Sequence, residues 1–356
     1  MLRSLCAVML CCALVETNAM ASENPGYVNL LLRGRAEYHD GRFLAAEPLY
    51  LAALRALQPG DQTERAATLA ELGDVYVNQD EVSKAERVYA ESLAIYERLS
   101  SKNSVALLLS FLAGIYSLEG RDDDALRLLQ RALKLSKTNP PASASLTAQV
   151  LNCLGIVYYR QGKTSKAETV FNEALQLIST LEAGFDTAQL LNNLGTVYYT
   201  MHKFQKAEDR FQQALKITET KLGLVHPDLT FTLTGLGVLY TQTGRYAEAE
   251  AQYQRALKIL EPGGADFETK IARLLYALSG MYTKTGRKSE AAAALGEASS
   301  IARRNLGKQQ GMAGIVEDYS TILKAQGKTT EAEELRVEAK RARVSAGLVI
   351  NAHNPF

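Results

Sequence analysis

Few residues in this chain of 356 amino acids have the types and spacing that catalysis requires. Two Gly-Lys-Thr triplets, Gly162–Thr164 and Gly327–Thr329, match the end of a phosphate-binding loop, in which backbone N–H groups and a lysine hold nucleotide phosphates. That motif also needs a glycine five residues earlier and a preceding strand, and the sequence supplies neither for either triplet. We therefore interpret both glycines as turn residues.

The sequence supports metal or thiol chemistry as little as it supports a phosphate-binding loop. The histidines, His39, His202, His226 and His353, are scattered, and none is paired with a second His or a Glu at helical spacing, so we expect no metal site and no cofactor. Cys153 has no His or Asp at helical spacing within its own helix, and we interpret it as a small apolar residue rather than a nucleophile. The sequence thus predicts no catalytic residues and a protein that is not an enzyme.

The composition indicates a folded protein and argues against a nucleic-acid partner. Hydrophobic residues make up 47% of the chain and charged residues 22%, as in ordinary folded proteins. The chain carries 40 Lys and Arg residues against 39 Asp and Glu residues, a net charge of +1. It therefore lacks the basic excess that draws proteins to phosphate backbones.

The first 21 residues are predicted to be a cleaved signal peptide, which makes the protein secreted or periplasmic. Arg3 supplies a positive charge, Leu5–Val15 is apolar, and Ala19–Ala21 is a small-x-small cleavage site. The apolar run is shorter than the roughly 20 residues that cross a bilayer, and no later stretch is long enough, so we expect no membrane span after cleavage. Cleavage would leave Cys153 as the single cysteine, without a partner for an internal disulfide.

The dominant pattern in the sequence is an internal repeat. Six tyrosines in similar surroundings follow one another at intervals of 40, 42, 40, 42 and 42 residues: Tyr76, Tyr116, Tyr158, Tyr198, Tyr240 and Tyr282. Leucines stand seven and four residues before each tyrosine, as Leu191 and Leu194 do before Tyr198, which places all three on one face of a helix. The glycine after the second leucine, here Gly195, allows a neighbouring helix to approach closely. We name this first helix of the repeat helix A.

A second helix follows helix A in each repeat. A glycine four residues after the tyrosine, as at Gly162 and Gly244, favours the left-handed backbone conformation that ends helix A. Small and aromatic residues then recur at i, i+4 and i+7, as in Ala207, Phe211 and Ala214, and form one face of a second helix, helix B. The repeating unit is therefore a helical hairpin.

These hairpins resemble the tetratricopeptide repeat family, with units that begin near residues 27, 66, 106, 148, 188, 230, 272 and 313. The resemblance implies an all-α fold, an α–α superhelix or solenoid of about eight hairpins over residues 22–344, followed by a C-terminal tail at 345–356. The first and last units are degenerate, with Glu37 and Leu323 at the tyrosine position, as expected of capping repeats. The period exceeds the family's usual length of about 34 residues and resembles the longer repeats of kinesin light chains, especially at Leu222–Asp228.

The resemblance also implies a binding groove, because helix A lines the concave wall of such a solenoid. The inward positions carry amides and aromatic rings that can hold the main chain of an extended peptide. The predicted groove residues are Gln149, Asn152, Tyr159, Arg160, Gln189, Asn192, Asn193, Tyr199, Phe231, Thr234, Arg273 and Tyr276. They predict a non-catalytic scaffold that binds a partner protein or peptide, although the same side chains could instead be solvated residues of the repeat consensus.

Two other functions stay open at this point. The solenoid could self-associate through its ends as a structural element, although the degenerate end units argue against this, and we expect a monomer or a weak homo-oligomer. It could also be the accessory subunit of a separate enzyme. The carboxylate clamp of chaperone-binding family members is not expected, because Asn193 matches only the middle residue of that clamp.

Overall fold

The computed structural model describes residues 24–79, 81–137, 144–179, 185–306 and 311–345. Within these residues the chain forms sixteen α-helices, one short 3₁₀ segment and no strand, which confirms the predicted all-α class. The predicted signal peptide at 1–21 and the tail beyond residue 345 lie outside the described residues. None of the described helices combines the length and the apolar character that crossing a membrane requires.

The helices pair in chain order into hairpins 1 to 8, each made of a helix A and the helix B that follows it. The helix A members are α1 (Pro25–His39), α3 (Gln62–Asn78), α5 (Lys102–Leu118), α7 (Ala144–Arg160), α9 (Phe185–Thr200), α11 (Leu229–Gln242), α13 (Glu268–Lys284) and α15 (Met312–Ala325). The helix B members are α2 (Phe43–Ala56), α4 (Val82–Arg98), α6 (Asp122–Ser136), α8 (Thr164–Ile178), α10 (Phe204–Leu222), α12 (Tyr246–Leu260), α14 (Lys288–Arg304) and α16 (Thr329–Ser345). The 19 residues of α10 and a 3₁₀ segment, Glu261–Phe267, take up part of the extra repeat length.

The described hairpins divide into two compact units between Leu224 and Val225. The first unit contains hairpins 1 to 5, and the second contains hairpins 6 to 8. Inside each unit, helix B of one hairpin packs against helix A of the next, as α4 does on α5 and α14 does on α15. A single hairpin leaves part of its apolar surface uncovered, so this stacking removes the remainder from water.

In hairpins 1 to 7, a small residue on helix A and a large one on helix B determine how closely the two helices pack. Gly155 of α7 faces the ring of Phe171 on α8, and a Cβ atom added to this glycine would lie 2.5 Å from Cε1 of the ring. The same spacing of 16 residues recurs in the pairs Gly73–Tyr89, Gly195–Phe211 and Gly237–Tyr253, where the added Cβ atom would lie 2.3, 2.8 and 2.5 Å from the ring. The close approach predicted at these glycines is therefore confirmed.

Where helix B carries a smaller residue, helix A carries a larger one. Leu129 of α6 and Leu295 of α14 occupy the position of the aromatic ring, and the residues 16 positions earlier are Ala113 and Ser279. All four are buried. The two positions therefore keep a similar combined volume, as a close-packed core requires.

In the hairpins whose turn position is described, a residue with left-handed backbone geometry ends helix A. The predicted turn glycines, among them Gly162 and Gly244, have φ of 74° and 79°. In the turn after α7, the Gly162 N–H donates to the Tyr159 carbonyl at 2.9 Å and the Lys163 N–H donates to the Tyr158 carbonyl at 2.8 Å. These two bonds form a Schellman cap, which satisfies carbonyls that the end of a helix leaves open. The prediction of left-handed glycines at these turns is confirmed.

Arginine–tyrosine contacts fix the turns of the second unit. The guanidinium of Arg245 lies 4.1 Å from the Tyr240 ring centroid, and that of Arg287 lies 4.2 Å from the Tyr282 centroid. Arg287 also donates to Glu250 of the preceding hairpin, with Nη1 and Oε2 2.7 Å apart, and the Tyr282 hydroxyl donates to the same carboxylate at 2.8 Å. The Arg287 guanidinium lowers the pKa of the Glu250 carboxyl, and the bond from Tyr282 adds to this effect. Hairpins 6 and 7 are thereby joined by charge as well as by apolar packing.

Candidate functional site

The polar side chains predicted to line a groove meet in the first unit, on adjoining sides of α7 and α9. We name this surface the α7–α9 face and define it by Gln149, Asn152 and Tyr159 of α7 and by Asn193 and Tyr199 of α9. The two helices are helix A of hairpins 4 and 5, and they contact one another. Because the hairpins repeat the same register, equivalent positions of the two helices become neighbours.

The centre of this face is a pair of asparagines. Asn193 Nδ2 donates to Asn152 Oδ1 at 2.7 Å. Asn152 is half-buried and Asn193 is buried. A primary amide has two donor hydrogens and an oxygen with two lone pairs, so one mutual bond leaves both donors and acceptors for a ligand. The pair can therefore bond to the N–H and C=O groups of a peptide main chain.

Two tyrosines lie toward the C-terminal ends of the two helices. The Tyr159 hydroxyl lies 2.8 Å from Thr200 Oγ1, and the Tyr199 ring lies 5.9 Å, centroid to centroid, from the ring of Phe204 at the start of α10. Burial raises the pKa of both tyrosines, so both hydroxyls stay protonated near neutral pH. Both are half-buried. They offer flat rings and hydrogen-bond donors in fixed positions.

Arg160 ends α7 directly after Tyr159. Its Nη2 donates to the Ser117 carbonyl near the end of α5, which connects hairpins 3 and 4. Its Nε and Nη1 are buried and have no hydrogen-bond partner among the described residues. This end of the face therefore carries a positive charge whose guanidinium bonds only to a backbone carbonyl among the described residues.

Asp186 lies at the opposite end of the face, in the first turn of α9. Its Oδ2 accepts from Ser145 Oγ and from Gln149 Nε2, both at 3.3 Å and both on α7. Its donors are neutral, so the negative charge of Asp186 is hydrogen-bonded but not neutralised by them. The sequence analysis did not single out this residue, because it precedes the first inward position of its repeat.

Three predicted groove residues on α9 expose little surface. Gln189 and Asn193 are each 8% exposed and Asn192 is 3% exposed, so the half-buried Asn152 is the more accessible member of the amide pair. Cys153 of α7 is also buried and forms no disulfide with a described residue. No group of three or more His, Cys, Asp or Glu side chains suited to a metal ion lies among the residues that the structure describes.

The second unit contains the other four predicted groove residues. Tyr276 of α13 is 36% exposed and donates its hydroxyl hydrogen to Asp318 Oδ2 of α15 at 2.7 Å. Burial and the adjacent Asp318 carboxylate raise the pKa of Tyr276. Phe231 and Thr234 of α11 are half-buried, and the Thr234 hydroxyl donates to a carbonyl of its own helix. Arg273 of α13 is half-buried as well. No amide pair like that of the α7–α9 face joins these four residues.

The sequence analysis missed an ionic cluster in hairpins 1 and 2. Arg35 of α1 donates to Glu71 of α3 from Nε at 3.0 Å and from Nη2 at 2.8 Å, and the Tyr50 hydroxyl donates to the same carboxylate at 3.0 Å. Burial and the Glu71 charge raise the pKa of Tyr50. These groups satisfy one another, so the cluster indicates a packing contact. A search for opposite charges on helix A about one repeat apart would have found it.

Comparisons with known proteins agree with the repeated hairpins. The family model described as Tetratricopeptide repeat matches six overlapping stretches of the chain: 27–98, 64–138, 104–180, 146–220, 186–261 and 228–304. The comparison with curated proteins gave no match.

Three solved structures show the same kind of fold. The chain is similar to BtubC (BKLC) from P. vanneervenii, with a TM-score of 0.54 and 22% identity over 62% of this chain and 90% of that one. It is similar to a Rap protein complexed with Competence and Sporulation Factor, with a TM-score of 0.64 and 17% identity over 80% and 77% of the two chains. It is also similar to the Rap conjugation gene regulator of the plasmid pLS20 in complex with the Phr* peptide, with a TM-score of 0.63 and 17% identity over 85% and 82%. At these identities the likeness concerns the fold alone.

Proposed function

The chain belongs to the tetratricopeptide repeat family, and from this premise we propose that it is a non-catalytic protein-interaction scaffold that binds an extended peptide on the α7–α9 face. The peptide is either free or part of a partner protein. The observation that carries the proposal is the Asn152–Asn193 amide pair, which lies on the same two helices as Tyr159 and Tyr199.

The amides and the tyrosines have different roles in this proposal. The amide pair bonds to the peptide main chain, which is the same for every sequence, while the two rings pack against peptide side chains. The mutual bond between Asn152 and Asn193 holds both amides in place before the peptide arrives. Binding therefore costs less side-chain entropy than it would with two mobile amides.

One of the similar structures supports a peptide as the class of ligand. The Rap regulator of pLS20 was solved with the Phr* peptide, and it matches 85% of this chain with a TM-score of 0.63. This supports binding of a peptide by this chain without assigning equivalent contacts. The residues of the α7–α9 face are those predicted from the sequence of this chain, and none is carried over from the Rap structures.

The proposal is tested by removing groups from the face and from a matched surface. The variant Asn152→Ala/Tyr199→Ala removes one amide and one ring from the face, while Asn172→Ala removes an exposed amide from helix B of the same hairpin. Partners retained from an extract of the native host by the immobilised protein are identified by mass spectrometry, and their Kd is measured with each variant. We expect a partner whose Kd rises at least about tenfold in the double variant and is unchanged by Asn172→Ala. Equal affinity for all three proteins, with unchanged helical circular dichroism, would remove the face from consideration.

We also propose that the protein acts outside the cytoplasm, as a secreted or periplasmic monomer or weak homo-oligomer. The support for export is the sequence of residues 1–21, with its positive charge, apolar run and cleavage site. N-terminal sequencing of the protein from the native host should begin after Ala21, and a chain that retains Met1 would contradict export. Light scattering at high concentration measures the oligomeric state.

A further inference from the structure

We propose that the peptide bound on the α7–α9 face carries two opposite charges: a carboxylate that pairs with Arg160, and a lysine or arginine side chain that pairs with Asp186. This inference rests on the proposed function and specifies the chemistry of its ligand. It does not involve the carboxylate clamp of chaperone-binding family members, for which this face lacks the residues.

Arg160 differs from Arg35 and Arg287, which join neighbouring hairpins through ion pairs. Arg35 bonds to Glu71, and Arg287 bonds to Glu250, so those guanidiniums meet a carboxylate. The single bond of Arg160 goes to a backbone carbonyl, that of Ser117, and its buried Nε and Nη1 have no partner among the described residues. A guanidinium that is withdrawn from water and lacks a counter-charge is unfavourable. A carboxylate brought by a ligand supplies the counter-charge, and this attraction does not require contact with the two buried nitrogens.

Asp186 carries a negative charge that is likewise not neutralised by a described residue. Its carboxylate is held by two neutral donors, Ser145 and Gln149, and forms no ion pair within the described residues. The two bonds fix its position against α7 without cancelling its charge. An ammonium or guanidinium group of a ligand would meet a carboxylate that is already oriented.

The distance between the two charges sets the spacing within the ligand. Asp186 is bonded to Gln149, and Gln149 and Arg160 stand 11 residues apart on α7. At about 1.5 Å per residue, this is about 16 Å along the helix. An extended peptide covers about 3.3 Å per residue, so its acidic and basic groups stand about five residues apart. The Asn152–Asn193 pair lies between the two charges, where it can bond to the intervening main chain.

The test uses a pool of ten-residue peptides randomised at every position, prepared once with a free C-terminal carboxylate and once with a C-terminal amide. Peptides retained by the immobilised protein are sequenced by mass spectrometry. We expect the wild type to retain peptides in which a carboxylate lies about five residues from Lys or Arg. Enrichment in the amide pool identifies Asp or Glu side chains as the source of the carboxylate, and enrichment restricted to the free-acid pool identifies the C-terminus.

Variants assign each charge preference to its residue. Arg160→Gln should lower the acidic enrichment about tenfold and keep the basic enrichment, and Asp186→Asn should do the reverse. Arg160→Lys keeps the positive charge and should keep the acidic enrichment. Arg160→Met, which removes the charge and keeps a long apolar side chain, takes the place of Arg160→Gln if that variant does not fold. The control is Arg210→Gln on α10, because Arg210 also has a buried Nε without a partner but lies on helix B. It should change neither preference.

The outcomes separate this proposal from the proposed function. Peptides retained through Asn152 and Tyr199 without any charge preference would overturn the charge motif and leave the binding function standing. Acidic enrichment that persists unchanged in Arg160→Gln would also overturn it. Failure of the wild type to retain any peptide would overturn both.

Discussion

Replacing Gly155 by alanine should destabilise hairpin 4, although alanine is the better helix former. The new methyl carbon would lie 2.5 Å from Cε1 of Phe171, where non-bonded carbons need about 3.5 Å or more. Phe171 is 1% exposed, so its ring lies inside the close-packed core. Over-packing of a core costs about 1–3 kcal/mol, and a glycine-to-alanine change in a helix returns about 0.5–1 kcal/mol. The difference between these ranges runs from about 0 to about 2.5 kcal/mol, so the expected net loss is about 1 kcal/mol.

A second substitution should reverse this loss. Phe171→Leu alone leaves a cavity and should destabilise hairpin 4 by about 1–2 kcal/mol, which is less than the roughly 3–5 kcal/mol for complete truncation of a phenylalanine. The double variant Gly155→Ala/Phe171→Leu copies the Ala113 and Leu129 combination of hairpin 3, so its stability should return close to that of the wild type. The two changes should therefore be coupled by at least about 1 kcal/mol.

Hydrogen exchange measured by mass spectrometry on peptides from α7 and α8 reports this local stability, which a global unfolding curve of a repeat protein averages with other hairpins. The control is Gly280→Ala on α13, because a Cβ atom at Gly280 would have no atom within 4 Å. This control should slow exchange in α13 through helix propensity alone. Slower exchange in α7 and α8 of Gly155→Ala would refute the predicted clash with Phe171. Exchange that is faster in the double variant than in Gly155→Ala would refute the predicted compensation by Phe171→Leu.

Three further predictions concern the contacts that hold the hairpins. Arg287 lowers the pKa of Glu250 below the unfolded value of about 4.3. The pair therefore stabilises the second unit fully above that pH, and the stabilisation is lost as the pH falls through the lower pKa of the folded state. Glu250→Gln should remove this part of the acid sensitivity, which urea unfolding between pH 5 and pH 3 measures. Gly162→Ala should cost about 1–2 kcal/mol because φ is 74° there, whereas Gly162→Asn should cost less, and thermal unfolding compares the two. Arg35→Met should leave the charge of the buried Glu71 without its ion-pair partner and destabilise hairpins 1 and 2 by about 3–5 kcal/mol. Adding Glu71→Met should restore most of the lost stability, measured by hydrogen exchange of α1 and α3. A double variant no more stable than Arg35→Met would refute the pairing.

The features of the fold that the sequence predicted are those that depend on neighbouring residues of one hairpin. The leucine and tyrosine stripe, the turn glycines and the glycines under aromatic rings all act within about 20 residues, so their spacing is visible in the repeat. His202 shows the limit of this approach. It occupies the turn position of hairpin 5 with φ of 58°, a left-handed conformation that residue type alone would not have indicated there.

The candidate site was predicted less completely, because its contacts join different hairpins. The sequence placed Asn152 and Asn193 on one wall but did not show that their amides bond to each other across 41 residues. It also treated Asn192 as equivalent to its neighbours, whereas the packing of α9 leaves that residue 3% exposed. The missing partners of Arg160 depend on the packing of α5 against α7, which no local pattern records.

The fixed distance of 16 residues between the small residue of helix A and the large residue of helix B has a consequence for how such a chain can change in evolution. Gene duplication or exchange of a complete hairpin transfers both partners together, and the copied segment is already matched in size. A recombination point inside the turn, at Gly162 for example, would unite a glycine from one parent with a leucine from another, or an alanine with a phenylalanine. The segment that can be duplicated or exchanged without a mismatch in side-chain size is therefore the whole hairpin, with its ends in the connections that follow helix B.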